Sequence, residues 1–213
     1  MTAPATAEPA LTPVLSAAAA AFAEHGYHGA SVRDIAARAG LSVPGMYHHH
    51  ASKQDLLRAL MEGSVADLLD RSKAAVEAAG DDPVARLSGL VRTLVGFMAE
   101  HRELAVLQAE ARYLEPDNWR RYVALRDEQQ ALFADAIADG QAAGAFAGAQ
   151  PTDDVTRAVL TLCLGVATWY RPDGPLDPAG LADQYVGFCL GLAGCTSGST
   201  SPRPRTRSRK DVP

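Results

Sequence analysis

Three consecutive histidines, His48, His49 and His50, are the side chains of this sequence that most resemble a metal-binding cluster. Successive residues of a helix point about 100° apart, so three adjacent imidazole rings cannot converge on one tetrahedral ion. No carboxylate follows any of them at the i+4 spacing that could complete a site. The sequence therefore predicts no metal ion and no cofactor.

Two pairs of adjacent carboxylates could take part in acid–base chemistry. Asp81-Asp82 and Asp153-Asp154 both precede helical patterns, and negative charge is favourable at the N-terminus of a helix, which explains them better than catalysis. The sequence has no glycine-rich phosphate loop after a strand and no nucleophile elbow. We therefore expect that the protein is not an enzyme.

The composition is typical of a globular chain that stays inside the cell. Of 213 residues, 47% are hydrophobic and 21% are charged. There is no run of about eighteen apolar residues, and the N-terminus lacks the basic flank of a secretory signal. The cysteines are odd in number and lack metal-ligand spacing, which indicates reduced thiols in a cytoplasm; they are Cys163, Cys189 and Cys195.

The stretch Ser31–Lys53 has the outline of a helix-turn-helix, the motif whose second helix lies in the major groove of DNA. Ser31 is placed to cap the first helix, and Gly40 stands where a left-handed residue would end it. Ser42 can cap the second helix, and Pro44 is tolerated in its first turn. The pattern predicts a DNA-binding unit.

The formal net charge of −5 would not by itself suggest a DNA-binding protein. Within the helix-turn-helix, however, cationic residues outnumber Asp34 and Asp55, and acidic residues concentrate after Glu62. The cationic residues are Arg33, Arg38, Lys53 and Arg58. This segregation is consistent with one lobe that faces DNA and one that does not.

The residues from Ala18 to Leu57 resemble the DNA-binding module of the TetR family of bacterial transcriptional regulators. The similarity covers FAEHGY in the first helix, the SVRDIA helix, the GLS turn, the YHH recognition helix and the SK that opens the fourth helix. Two positions depart from the family pattern. His50 stands where a core phenylalanine is usual, and Val43-Pro44-Gly45 replaces the commoner residues of the tip that reads bases, so the operator sequence is not predicted.

The resemblance implies which side chains contact DNA. It places Ser31, Tyr47 and Lys53 at phosphates. Phosphate contacts give most of the affinity and make it salt-sensitive, whereas base contacts set the sequence. Two alternatives stay open, in which Tyr47 is a core residue and Arg33 a solvated charge. The residues nearer the base edges are Arg33, Ser42, Val43, Gly45 and His48, and Val32 and Pro44 complete the predicted surface.

The rest of the chain reads as helical, which predicts an all-α protein of about nine helices. We expect a disordered arm at residues 1–10 and a three-helix helix-turn-helix domain at 11–58. An effector-binding and dimerisation domain should follow at 59–194, with a disordered basic tail at 195–213. The first helix is predicted to end at His25, before Gly26.

The eighth predicted helix, about residues 152–169, has no charge between Arg157 and Arg171 and is apolar on every side. Such a helix must be buried on every side. A small domain covers only one face, so we infer that the other face and the ninth helix, about residues 179–193, meet the same pair in a second protomer. The resemblance implies the same homodimer, whose recognition helices would lie about 34 to 36 Å apart, or somewhat more, over a near-palindromic operator.

Apolar residues with scattered polar groups on the fifth to eighth helices fit a small-molecule site, but they also fit an ordinary core. Members of the TetR family commonly hold an effector in this lobe and release DNA when it binds. The candidate ligand-binding residues are Phe97, Met98, Leu104, Gln108, Arg112, Tyr113, Trp119, Tyr122, Arg126, Leu160, Leu164, Thr168 and Trp169.

The corner WYRPDGPL, residues 169–176, resembles the junction of the last two helices in an actinobacterial TetR subgroup. That subgroup represses lipid or sterol catabolism in response to acyl-CoA thioesters, which implies a repressor with a small hydrophobic effector of the acyl-CoA class. The ladder Leu160, Leu164, Thr168 carries no arginine. The CoA phosphates would therefore need Arg112, Arg126, Arg157 or Arg171.

Two other functions fit parts of the sequence. A TetR-type regulator of efflux or antibiotic response would bind a hydrophobic compound that is not a CoA thioester. A helical ligand-binding module without a DNA function would have no use for the capped helix-turn-helix. The predicted partners are double-stranded operator DNA, the effector and a second copy of the chain, with no membrane.

Overall fold

The computed structural model describes residues 11–101 and 107–195 and confirms the all-α class. No helix in these ranges is long and apolar enough to cross a membrane. The predicted arm, Leu104 and the tail beyond Cys195 lie outside the described residues. The helices are α1 (Pro13–Gly29), α2 (Val32–Arg38), α3 (Val43–His49), α4 (Lys53–Ala79), α5 (Pro83–Glu100), the 3-10 helix η1 (Leu107–Tyr113), α6 (Pro116–Ala142), α7 (Thr152–Leu164), α8 (Val166–Trp169) and α9 (Pro178–Ala193).

Serine caps begin three successive helices, α2 to α4, and the first two of them are the caps that the sequence predicts. Ser31, Ser42 and Ser52 each accept a hydrogen bond on Oγ from the backbone N–H three residues later, at 3.0, 3.1 and 3.0 Å. Each bond satisfies a helix-terminal N–H that has no partner within the helix, and such a cap is typically worth about 1 kcal/mol. Gly40, with φ of +69°, ends α2 as predicted.

The first segment of α1 ends at His25, as predicted, because Gly26 has a non-helical backbone with φ of +68° and ψ of 170°. One further helical turn follows this bend and continues to Gly29, so α1 consists of two segments. Because side chains other than glycine rarely adopt this conformation, Gly26 fixes the bend after which Tyr27 and His28 follow.

Two hydrophobic cores form, and α4 contributes to both. The predicted boundary at residue 58 therefore falls inside a helix that connects the two lobes. The N-terminal core also receives Tyr122 from α6, and its other large buried residues include Phe22, Ile35, Met46 and Leu56. The C-terminal core includes Leu68, Leu94, Phe133, Val159 and Val186.

The predicted eighth helix is divided at Gly165 into α7 and α8. The buried face of α7 consists of Val155, Val159 and Cys163. The residues on its opposite face are exposed in the single chain. In the single chain, therefore, only one face of this helix is buried, and burial of the other face by a second protomer stays a prediction. Exposed residues on this side of α7, α8 and α9 are Ala158, Thr161, Trp169, Phe188 and Leu192.

Candidate DNA-binding surface and effector cavity

Helix α3 is attached to the N-terminal core on one side and open on the other. Met46 is fully buried, whereas Tyr47 is 47% exposed and His48 is also exposed. Tyr47 is therefore not a core residue, which excludes one of the alternatives, while its phosphate contact and the alternative of a solvated Arg33 both stay predictions. The cap and first turn beside this exposed face consist of Ser42, Val43, Pro44 and Gly45.

The positive charge of the N-terminal lobe is less available than the sequence suggested. Arg38 pairs with Glu24 and Asp34 at 2.8 and 2.9 Å. Arg58 is likewise engaged by two carboxylates on α4. Arg33 is exposed, and among the described residues it has no carboxylate partner. Arg33 is therefore the cation of α2 that remains available to an anionic ligand.

Ser31 and Val32 start α2 beside Arg33. Ser31 is exposed, and its hydroxyl already accepts the capping hydrogen bond from Asp34 N. Val32 is half-buried and packs against the N-terminal core. Their position at the edge of the exposed surface fits the predicted contacts, which remain predictions.

Lys53 is held by the backbone just before α2. Its Nζ donates hydrogen bonds to Ala30 O at 2.7 Å and to His28 O at 3.4 Å, and it lies 4.6 Å from the centroid of the Tyr27 ring. Burial lowers the pKa of the Lys53 ammonium. Local sequence patterns do not predict these contacts, because the acceptors lie 23 and 25 residues away. Lys53 thus braces the loop that carries Ser31, and its predicted phosphate contact is untested.

His50 connects α3 to α4 through a polar contact at the position where the family usually has phenylalanine. Its Nδ1 lies 3.2 Å from Asp55 Oδ2, and Arg58 Nη2 donates to Asp55 Oδ1 at 2.6 Å. Burial acts to raise the pKa of Asp55, but the hydrogen bonds and charges of Arg58 and His50 outweigh it and hold that pKa below its usual value. The ionised carboxylate therefore fastens the end of α3.

A cavity of about 60 Å³ lies in the C-terminal lobe, with room for a few water molecules. Its polar groups come from η1 and α6, and its remaining wall is aliphatic. Four of the predicted ligand-binding residues line it, and these are Gln108, Arg126, Leu160 and Leu164. The lining residues that the sequence analysis missed are Val65, Leu68, Leu94, Gln129 and Gln130.

The other predicted ligand-binding residues that the structure describes lie away from this cavity. Those enclosed in hydrophobic cores are Phe97, Met98 and Tyr122. Those exposed at other surfaces are Trp119, Thr168 and Trp169. Those on η1 near the N-terminal lobe are Arg112 and Tyr113, whose guanidinium and ring lie 4.8 Å apart. Helical periodicity marks the apolar side of a helix, but it does not show which residues on that side border a void.

Gln129 was detectable in principle from its spacing. It lies seven residues after Tyr122 and four before Phe133, on the stripe of α6 that is buried. An amide on such a stripe needs a partner inside the protein. Its Nε2 donates to Ser72 Oγ of α4 at 2.8 Å, so the two helices are joined by a buried polar contact beside the cavity.

The 3-10 helix η1 touches both the cavity and the DNA-binding lobe. Gln108 lines the cavity, and the Tyr113 ring stacks on Tyr27 with centroids 5.6 Å apart. Gln54, near the start of α4, donates from Nε2 to Tyr113 O at 2.8 Å and to the Tyr27 hydroxyl at 3.2 Å. A change in the cavity can therefore reach α1 and α4 through one short helix.

Comparison with known proteins covers both lobes. Residues 14–60 match the family model described as "Bacterial regulatory proteins, tetR family". Residues 80–193 match the model described as "Tetracyclin repressor-like, C-terminal domain". The first match contains the exposed helix α3, and the second contains η1 and most of the cavity wall.

Similar proteins include the HTH-type transcriptional repressor KstR2 of Mycobacterium tuberculosis, which is 32% identical over 180 residues, covering 84% of this chain and 90% of that protein. The structure of the ketosteroid transcriptional regulator KstR2 of that organism aligns with TM-score 0.76 and 31% identity over 84% of this chain and 91% of the other. The structure of AibR in complex with isovaleryl coenzyme A and operator DNA aligns with TM-score 0.74 and 25% identity over 82% and 95%. This chain belongs to the TetR family of bacterial transcriptional regulators.

Proposed function

We propose that this protein is a homodimeric repressor that binds operator DNA and releases it when a hydrophobic effector enters the cavity. The observation that carries the proposal is the exposed face of α3. Met46 fixes the helix to the core while Tyr47 and His48 face outward, and Arg33 of the preceding helix is exposed without a carboxylate partner among the described residues. A capped helix presented in this way can enter the major groove and donate hydrogen bonds to bases and phosphates.

The dimer is proposed from the exposed apolar face of the last helices. Trp169, Phe188 and Leu192 are 50%, 58% and 46% exposed, and together they leave a substantial apolar surface in water. A two-fold axis through this face would cover it with the same residues of a second copy. The two copies of α3 would then read the two halves of a near-palindromic site.

The proposed effector is an acyl-CoA thioester. Three observations support this class: the WYRPDGPL corner, the similarity to a complex of AibR with isovaleryl coenzyme A, and an arginine at the cavity. Arg126 lines the cavity, is exposed, and among the described residues has no carboxylate partner, whereas Arg157 is paired with Asp154 at 3.1 Å. Arg126 is therefore the arginine best placed to meet an anionic part of the effector.

Release of DNA would follow from a difference in effector affinity between two states of the dimer. The cavity is too small for an acyl chain as it stands, so an effector must favour a state in which the lobe is more open. If that state holds the two recognition helices at another separation, the effector weakens DNA binding by the ratio of its affinities for the two states.

The test is fluorescence anisotropy of the purified protein with its upstream intergenic DNA or a sequence selected from random DNA, followed by a series of acyl-CoAs. We expect salt-sensitive binding that survives excess competitor DNA and is reversed by one group of thioesters. Tight binding that no thioester reverses would remove the effector class and leave the DNA-binding proposal standing. Absence of any selected sequence would remove both.

A further inference from the structure

Gln129 lines the cavity and carries a buried polar atom without a hydrogen-bond partner in the described part of the chain. The residue is only 6% exposed, and it lines the cavity from α6. Its Nε2 donates to Ser72 Oγ, which fixes the amide group. Its Oε1 accepts no hydrogen bond from the described part of the chain. A buried carbonyl oxygen without a donor has lost its hydrogen bonds to water, which costs free energy. A ligand group that donates a hydrogen bond to it would offset that cost.

The surroundings of the amide restrict what that donor can be. The cavity wall around Gln129 is aliphatic, with Leu68, Leu94, Leu160 and Leu164 among its lining residues. A charged donor such as an ammonium group would lose its hydration there without a carboxylate to replace it. A neutral hydroxyl group can donate one hydrogen bond to Oε1 at a much smaller desolvation cost.

The other polar groups lie where the cavity meets solvent. Arg126 and Gln130 are exposed, and Gln108 is half-buried. The cavity thus has an aliphatic wall, one buried lining residue, Gln129, with an unpartnered acceptor, and an exposed cationic lining residue, Arg126. A complementary molecule has an apolar body with a hydroxyl group and an anionic end.

We propose that the cavity selects an apolar effector that carries a hydroxyl group on its body, and that Gln129 is the residue that recognises this hydroxyl. The inference rests on the proposed function, since it describes the effector of the same cavity. In an acyl-CoA the hydroxyl belongs to the acyl group, and the anionic end is provided by the phosphates near Arg126.

The test compares octanoic acid with the set of monohydroxyoctanoic acids, each as the free acid and as the CoA thioester, by isothermal titration calorimetry on the full-length protein. At least one hydroxylated isomer should bind about tenfold more tightly than the unsubstituted chain in the same form. The comparison is made within each form, so it does not depend on whether CoA is required. DNA binding is measured separately.

Gln129→Met combined with Ser72→Ala removes both ends of the buried polar contact and keeps the side chain at position 129 long. The preference for a hydroxylated chain should disappear in this variant, and octanoic acid or its thioester should bind at least as well as before. Gln150→Met is the matched control, because Gln150 is an exposed glutamine that does not line the cavity and should leave the preference unchanged.

Three results would overturn the inference. One is wild-type protein that binds the unsubstituted chain as tightly as every hydroxylated isomer. Another is a hydroxyl preference that persists in the double variant. The third is that no isomer binds in either form. In that case a water molecule, and not a ligand hydroxyl group, donates the hydrogen bond to Gln129 Oε1. The first and third are read from wild-type protein, so they remain decisive if the double variant does not fold.

Discussion

Glu110 Oε2 accepts a hydrogen bond of 2.7 Å from the backbone N–H of Tyr27, 83 residues earlier in the chain. The donor follows directly after Gly26, whose positive φ bends α1 and frees this N–H from the regular helix pattern. Gln108, two residues before Glu110, lines the cavity. The hydrogen bond therefore joins the cavity wall to the helix that leads into the DNA-binding residues.

Glu110→Ala should weaken the coupling between effector and DNA. The variant removes the side chain through which η1 holds Tyr27, so a movement of η1 would reach α1 less completely. We expect the ratio of effector affinities in the absence and presence of operator to fall about fivefold, a typical size for one coupling contact. Titration of an acyl-CoA against free and DNA-bound protein measures this ratio.

Glu115→Ala is the control for that experiment. Glu115 is exposed at the start of α6, and its side chain makes no capping hydrogen bond there. The substitution should leave the coupling ratio unchanged. An unchanged ratio in the Glu110 variant would show that the contact is structural and carries no coupling.

Lys53→Met tests whether the ammonium group that braces the loop also meets a phosphate. The variant keeps most of the side-chain length but removes the charge. DNA binding should weaken for specific and unrelated sequences alike, and the slope of log K against log salt should become shallower by about one. Lys73→Met is the control. Lys73 lies on the part of α4 far from the DNA-binding lobe, and the variant breaks only its exposed ion pair with Glu128 of α6. An unchanged slope would show that Lys53 makes no phosphate contact and has only a structural role through the carbonyls of Ala30 and His28.

Asp55→Asn should reduce stability at neutral pH. The pKa of Asp55 is lower in the folded protein than its ordinary value of 3.8. The carboxylate therefore contributes stability that is present above the ordinary pKa and is lost as pH falls through the lowered folded pKa. Thermal unfolding across pH should show a gap between wild type and variant at neutral pH that closes in strong acid. Asp117→Asn, in an exposed pair with Arg120, should show little gap at any pH. A gap that does not change with pH would contradict the assignment.

Phe188→Glu should dissociate the proposed dimer. Phe188 is 58% exposed in the single chain and lies beside Leu192 on the face proposed to meet its copy. A carboxylate buried in an apolar two-fold interface would face its symmetry partner, which disfavours association. Sedimentation analysis should report a monomer with weakened operator binding. Ala124→Glu on an exposed position of α6 should leave a dimer, and a dimer in both variants would place the interface elsewhere.

The local part of the fold could be predicted from the sequence. The caps at Ser31, Ser42 and Ser52 depend on residues three positions apart, and the turn at Gly40 depends on one residue. Capping residues and glycine turns depend only on residues a few positions apart. The helix boundaries of the helix-turn-helix predicted from them therefore agree closely with those of the structure.

The parts that were missed depend on residues distant in sequence. Lys53 reaches the carbonyls of His28 and Ala30, and Gln129 meets Ser72 across two helices. The sequence predicts Gly26 as the end of a helical segment, but the hydrogen bond from the Tyr27 N–H to Glu110 beyond this bend depends on a residue 83 positions away. Amphipathic patterns indicate which residues are apolar, but the position of the cavity depends on how five helices pack.

The central claim is that the exposed face of α3 and the start of α2 bind DNA. Fluorescence anisotropy on an operator selected from random DNA tests it most directly, with wild type, Tyr47→Ala and Arg33→Ala compared in excess competitor DNA. We predict specific binding by the wild type and a loss of about tenfold or more in each variant, as expected for removal of a groove or phosphate contact. Failure to select any sequence, or wild-type affinity in both variants, would contradict the claim.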